Sequence, residues 1–267
     1  ELSTIFSNNV LDATNNWSLL LKNPSEVEGL PERALETLAL AAKEAGDKTE
    51  DGNEPTGTSG PWKVGLDLPR YIPFQTYAKN RSVREKVYRA FVSRASDGKL
   101  DNKKIIEEIL KLRNQQAKQL GYENWCEISL ATKMADNEEA VEMLLEELRL
   151  AAMPHAEKEL IQLRECAKRN GENDDFELSA WDISFWSEVL RKEKYDLDQE
   201  KLRPWFPLDQ VLKGLFNLCK RLFEIEIEEA SNSVPLWHED VRFFNVKNLD
   251  GNKIASFYLD PFSRPAT

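Results

Sequence analysis

Histidine is nearly absent, with only His155 and His238 among 267 residues. Cysteine is almost as scarce: Cys126, Cys166 and Cys219 are odd in number, far apart and never in a Cys-x-x-Cys arrangement. That spacing argues against a disulfide framework and favours a reducing compartment. Each cysteine lies among helical apolar residues, so each reads as a buried thiol. Long hydrophobic runs are also missing. The charge-free apolar stretches are as short as Leu19-Leu20-Leu21, far below the length that crosses a bilayer. Positive charge is in deficit, 36 Lys and Arg against 47 Asp and Glu, giving a net charge of -11. An acidic surface repels nucleic acid and anionic lipid, so neither nucleic acid nor membrane is an expected partner.

The chemistry-bearing motifs are mostly missing as well. Gly57-Thr58-Ser59-Gly60 lacks the Gly-Lys-Ser/Thr ending and the following helix that a phosphate loop needs. No Gly-x-Ser-x-Gly elbow occurs, and no Cys–His pair stands out. A zinc-peptidase helix needs His-Glu-x-x-His, which projects two imidazoles from one helical face with a Glu to polarise the metal-bound water. His238-Glu239 starts that pattern, but Arg242 stands where the second His belongs, and the segment reads as the entry to a strand. His155 lacks even the following Glu. Paired carboxylates such as Glu107-Glu108 and Glu146-Glu147 read as solvated helix faces. The residues alone therefore define a soluble helical domain and nothing sharper.

What is present is a balanced globular composition, 41% apolar and 31% charged, with mainly helical periodicity. Pro31 opens an Ala- and Leu-rich run closed by Gly46. Ser82-Val83-Arg84-Glu85 matches a capping box opening a helix through Val92. Asp101-Asn102 precedes a stripe of Ile105, Ile106, Ile109, Leu110 and Leu112 that Gly121 stops. The longest helix follows Asp136-Asn137 and ends near Gly171, with a kink expected at Pro154. Two more are predicted over 180–194 and 207–223.

Strands are expected at Trp17–Lys22 and Pro61–Leu66, paired across the intervening helix. Asp250-Gly251 between Val241–Val246 and Ile254–Leu259 signals a hairpin, with Ile225–Glu228 as a third strand. Asp47 to Gly60 reads as an exposed linker without a large apolar anchor. Trp181, Phe185, Trp186, Trp205 and Phe206 are dense enough for a peptide-binding groove or a packed core.

Several segments, in order, resemble the oligopeptidase A branch of the M3 zinc metallo-oligopeptidases, the thimet oligopeptidase relatives. They begin at Phe6-Ser7-Asn8-Asn9-Val10-Leu11-Asp12-Ala13-Thr14 and pass through Tyr71-Ile72-Pro73-Phe74 and the helix Asn80–Ala90. Ser129-Leu130-Ala131-Thr132-Lys133-Met134-Ala135 and Leu202-Arg203-Pro204-Trp205-Phe206 follow. Trp237-His238, Asp240-Val241-Arg242-Phe243-Phe244 and Phe257-Tyr258-Leu259-Asp260-Pro261-Phe262-Ser263-Arg264 complete the set. The plant and organellar type is the most similar.

The resemblance implies a mainly α, two-lobed helical shell with small β-hairpins around a deep channel. There a zinc ion on a His-Glu-x-x-His helix and a later Glu cleaves short unstructured peptides. It implies residues 1–70 as part of an N-terminal helical region with a hairpin, and 71–267 as the N-terminal part of the catalytic domain. Members are often monomeric, and the compartment is intracellular, either cytoplasm or an organelle such as chloroplast or mitochondrion.

The family's zinc helix comes after the strand at Phe257–Asp260, beyond Thr267. Residue 1 is Glu rather than Met, so both ends are expected to be missing. No catalytic or metal-binding residue carries over to this chain, and zinc is expected only in the full-length family. Tyr258, Asp260, Phe262 and Arg264 remain as candidates to line the substrate cleft. By itself the chain is expected to be inactive and, with apolar faces uncovered, aggregation-prone. The second reading is a non-catalytic helical peptide-binding or interaction module, and a degraded gene product without a role is the third.

Overall fold

The computed structural model describes residues 1–196 and 202–262. The chain divides into two compact units, Glu1–Asp196 and Leu197–Thr267. The architecture is mainly helical with two small antiparallel sheets.

In the first unit, α1 (Leu2–Asn16) leads into β1 (Ser18–Leu21), α2 (Glu32–Glu44) and β2 (Trp62–Gly65). The two strands pair antiparallel, with Leu21 opposite Trp62 and Leu19 opposite Val64, across the intervening helix as the sequence predicts. Pro31 is the N-cap of α2, and Gly46 at φ +81° takes the left-handed conformation that ends it. Leu38, Ala39 and Ala42 form the buried stripe of α2, and Leu38 and Ala39 meet Leu21, Trp62 and Val64 in one core.

Next come α3 (Leu68–Tyr77), α4 (Arg81–Val92), α5 (Lys103–Gln119) and α6 (Trp125–Leu130). Phe74, Ala78, Val83 and Val87 extend the same core. The cap of α4 is Asn80, whose side-chain oxygen accepts from the Val83 amide. The capping box expected at Ser82 is therefore displaced: the Ser82 hydroxyl instead donates to Asn80 Oδ1 at 2.8 Å. Helix α7 (Glu138–Arg169) is capped by Asn137 on the Ala140 amide and continues through Pro154. Helix α8 (Ala180–Tyr195) starts with a capping box between Ser179 and Asp182. A second core joins α7 and α8 through Leu163, Cys166, Ala167, Phe176 and Trp186.

The Asp47–Gly60 linker is held more firmly than its composition indicates. Its anchor comes from outside, because the Trp62 indole donates to the Gly57 carbonyl at 3.0 Å. Lys43 on α2 pairs with Glu54 at 2.5 Å, and Pro55 is buried.

The second unit contains α9 (Leu208–Phe223) and the sheet β3 (Glu226–Glu229), β4 (Arg242–Lys247) and β5 (Lys253–Leu259). The strand order is β3-β4-β5, antiparallel throughout. Gly251 at φ +82° turns the hairpin between β4 and β5, which is why Asp-Gly is legible there. Phe244 is buried, stacks on Phe257 at 5.2 Å and takes Phe216 of α9 edge-on at 5.2 Å.

Candidate functional site

Among the described residues, strand β5 lies at the edge of its sheet and pairs only with β4. Side chains alternate between the faces of a strand, so Tyr258 projects to one side while Phe257 and Leu259 project to the other. Tyr258 is 44% exposed, while Phe257 and Leu259 are half-buried. The Tyr258 ring packs against Phe243 of β4, with centroids 4.7 Å apart, and against Trp237, at 5.1 Å. The Trp237 indole N–H donates to Asp260 Oδ2 at 3.1 Å. Thus Tyr258 and Asp260 share one exposed aromatic patch beside the strand edge. Phe262 is 54% exposed beyond the strand's end. Arg264 lies outside the described residues.

Trp237 completes the patch and was not among the cleft residues expected from the sequence. It arrives from the connection before β4, so strand periodicity gives no hint of it. Its place beside His238 in the family-like segment was the available signal.

The remaining polar groups here are engaged with one another. Arg242 donates to Glu229 at 2.6 and 3.2 Å and to Asp209 at 2.9 Å. The hydrogen bond to Glu229 is the main cause that raises the Arg242 pKa, and it holds Glu229 below the usual carboxylate range. His238 Nδ1 sits 3.3 Å from Asp240 and accepts the Asp240 amide at 3.2 Å.

These residues do not fit the family's zinc. His238 is committed to Asp240, and Arg242 occupies the position of a second imidazole on a strand rather than a helix. His155 is exposed on α7. Among the described residues, no group of three or more His, Cys, Asp or Glu could hold a metal ion.

The aromatic residues singled out in the sequence differ in burial. Trp186 is 5% exposed and meets Phe185 and Phe176 edge-on, as part of a core. Phe185 lies under the Arg84 guanidinium at 4.2 Å, and Trp181 under that of Arg89 at 4.8 Å. Trp205 and Phe206, by contrast, are 79% and 67% exposed. The cysteine expectation holds for Cys166, which is buried, while Cys219 is half-buried and Cys126 is exposed. Cys126 sits in the short helix α6, none of whose residues is buried.

A mainly helical chain with small antiparallel sheets fits the oligopeptidase shell that the sequence resembles. Residues 74–266 match the model of peptidase family M3, and the chain belongs to that family. Organellar oligopeptidase A, chloroplastic/mitochondrial, of Arabidopsis thaliana is 49% identical over 266 residues, which is 100% of this chain and 33% of that protein. The probable cytosolic oligopeptidase A of the same plant is also 49% identical, over 100% of this chain and 37% of its own length. Oligopeptidase A of Escherichia coli (strain K12) is 42% identical over 99% of this chain and 37% of its own length. The chain thus spans about a third of the length of the curated relatives it matches. Among the described residues, no helix is long and apolar enough to cross a membrane.

Proposed function

We propose that this chain is the part of an M3 oligopeptidase that helps to wall the substrate cleft and guides short unstructured peptides, without performing the hydrolytic step itself. The exposed edge of β5 beside the Trp237–Tyr258–Asp260 patch carries this reading. An edge strand offers unpaired backbone donors and acceptors to an extended peptide. The aromatic faces add apolar contact, and Asp260 favours a cationic or amide-bearing side chain. Folded proteins present their backbone already paired, so the substrate class is short, extended peptide.

On this reading residues 71–267 form the beginning of the catalytic domain and 1–70 the N-terminal helical region. The zinc that the resemblance implies for the family is held by residues this chain does not supply. The whole enzyme is then a monomer acting in the cytoplasm or an organelle. The names of the relatives, one organellar and one probably cytosolic, support an intracellular setting.

The test has two arms. Titrating the ¹⁵N-labelled chain with an unstructured peptide should shift the amide signals of β5, and Tyr258→Ala should weaken that binding severalfold. The chain alone, supplied with zinc and a quenched fluorescent peptide, should give no turnover. Turnover that a chelator abolishes, or shifts that avoid β5, would overturn the proposal.

A further inference from the structure

Helix α9 carries two apolar arcs, and its own sheet covers one of them. Leu212, Phe216 and Cys219 are half-buried on the arc from which Phe216 meets Phe244. Leu208, Val211, Leu215, Leu218 and Leu222 form the other, at alternating spacings of three and four residues. That is the seam period of paired helices, in which each side chain enters a hole on a neighbouring helix. These five side chains are 45–64% exposed. A surface helix ordinarily turns a single apolar stripe toward its core, so the second stripe asks for a second partner.

Gly214 is an independent indication of close approach. It lies in the middle of α9, where glycine costs roughly 0.5–1 kcal/mol relative to alanine. A Cβ built there would meet nothing within 4 Å, so no contact among the described residues requires the glycine. On a helical wheel it flanks the seam on the same side as Arg221. A missing side chain beside a leucine seam lets a neighbouring backbone come near, at the 8–10 Å axial separations typical of packed helices.

We propose that this seam seats an amphipathic helix from the two thirds of an M3 polypeptide that this chain does not span, with leucine-like knobs and a carboxylate toward Arg221. The relatives set the occupant: the chain aligns along all of itself but only 33–37% of theirs, so most of the polypeptide that completes such a protein lies elsewhere. The inference rests on the peptidase reading above but concerns assembly rather than substrate.

The test is co-expression of the tagged, full chain with the segment of the Arabidopsis organellar oligopeptidase A that follows its aligned region. A 1:1 complex should co-purify, and Leu215→Glu or Leu218→Glu should weaken it by more than about 100-fold in Kd, since a carboxylate would be buried without a partner. Leu215→Met should retain it. Leu215 and Leu218 are 49% and 48% exposed, so neither change to Glu displaces a core side chain. Circular dichroism and melting of the isolated variants should match those of the unsubstituted chain.

Equal capture of the unsubstituted chain and Leu215→Glu, or no capture at all, would overturn the proposal. So would a homodimer of the chain that Leu215→Glu breaks, which would give the seam to a second copy. Peptide hydrolysis by the complex separates the two readings. A seam-dependent complex that hydrolyses nothing sinks the peptidase reading alone, and hydrolysis indifferent to Leu215→Glu sinks the seam alone.

Discussion

Arg84 on α4 and Asp182 on α8, 98 residues apart in sequence, meet at 2.9 Å with side chains only 2% and 0% exposed. Arg81 grips the same carboxylate at 2.7 Å, and the Ser179 amide donates to it at 3.0 Å. Arg84 also donates to the carbonyls of Ala78, Lys79 and Trp181, which engage its Nε and Nη1 groups. The arrangement fixes α8 against the start of α4.

Asp182→Asn is expected to destabilise the first unit by about 3–5 kcal/mol, because it leaves the buried Arg84 charge without its counterion. Urea unfolding of the two proteins gives the difference directly. A loss below about 1 kcal/mol, the range of surface ion pairs, would show that the pair is not sealed as described.

The same carboxylate makes stability depend on pH. Burial pushes Asp182 upward, but hydrogen bonds from Arg81, the Ser179 amide and Arg84 outweigh it and hold the group below the usual carboxylate range. The unfolded chain therefore takes up the proton first as pH falls. The contribution is complete above the unfolded value of about 4 and disappears as pH drops through the folded value. Urea midpoints measured from neutral to acidic pH should begin to converge for the parent chain and Asp182→Asn only as pH falls below about 4. A gap that stays constant would refute the linkage.

Two glycines separate backbone strain from collision. Gly46 at φ +81° has open space around it, so Gly46→Ala should cost about 1–2 kcal/mol from conformation alone. Gly29 at φ +91° has the Tyr77 carbonyl where a Cβ would go, so Gly29→Ala should cost more than that. Thermal melts of both variants test the ranking, and equal shifts would contradict it.

Thiol reactivity should follow burial. Cys126 is exposed, whereas Cys166 is enclosed and burial pushes its thiol upward. A disulfide reagent under native conditions should label Cys126 quickly and Cys166 only on unfolding, as read by mass spectrometry of the digested chain. Rapid native labelling of Cys166 would mean that the α7–α8 core opens readily.

How far the sequence revealed this structure depended on whether local chemistry or distant contact decided the outcome. The Asp250-Gly251 turn and the apolar periods of α2 and α9 are local, and all appear where expected. Helix α1 escaped notice because Ser7-Asn8-Asn9 and Thr14-Asn15-Asn16 are weak helix formers and no residue of it is buried. Helix α3 was masked by Pro69 and Pro73, although the first falls in the opening turn, where proline is tolerated. Tyr258 near the end of β5 and Asp260 just beyond it stand two residues apart in sequence, whereas Trp237 joins them only through tertiary structure. Nothing local pointed to Arg84 and Asp182, since each alone reads as an ordinary surface charge.

The tether between Trp62 and Gly57 gives the linker two mechanically different halves. Around Asp51–Asn53 the loop is exposed, and its backbone ties run between Thr49 and its near neighbours. A foreign epitope or fluorophore grafted at that tip would be displayed without disturbing the scaffold beneath. At Gly57 the backbone lies against Glu36 of α2, and the indole takes its carbonyl. An insert there would pry a tryptophan out of the principal core, so one short loop holds both a permissive handle and a forbidden one.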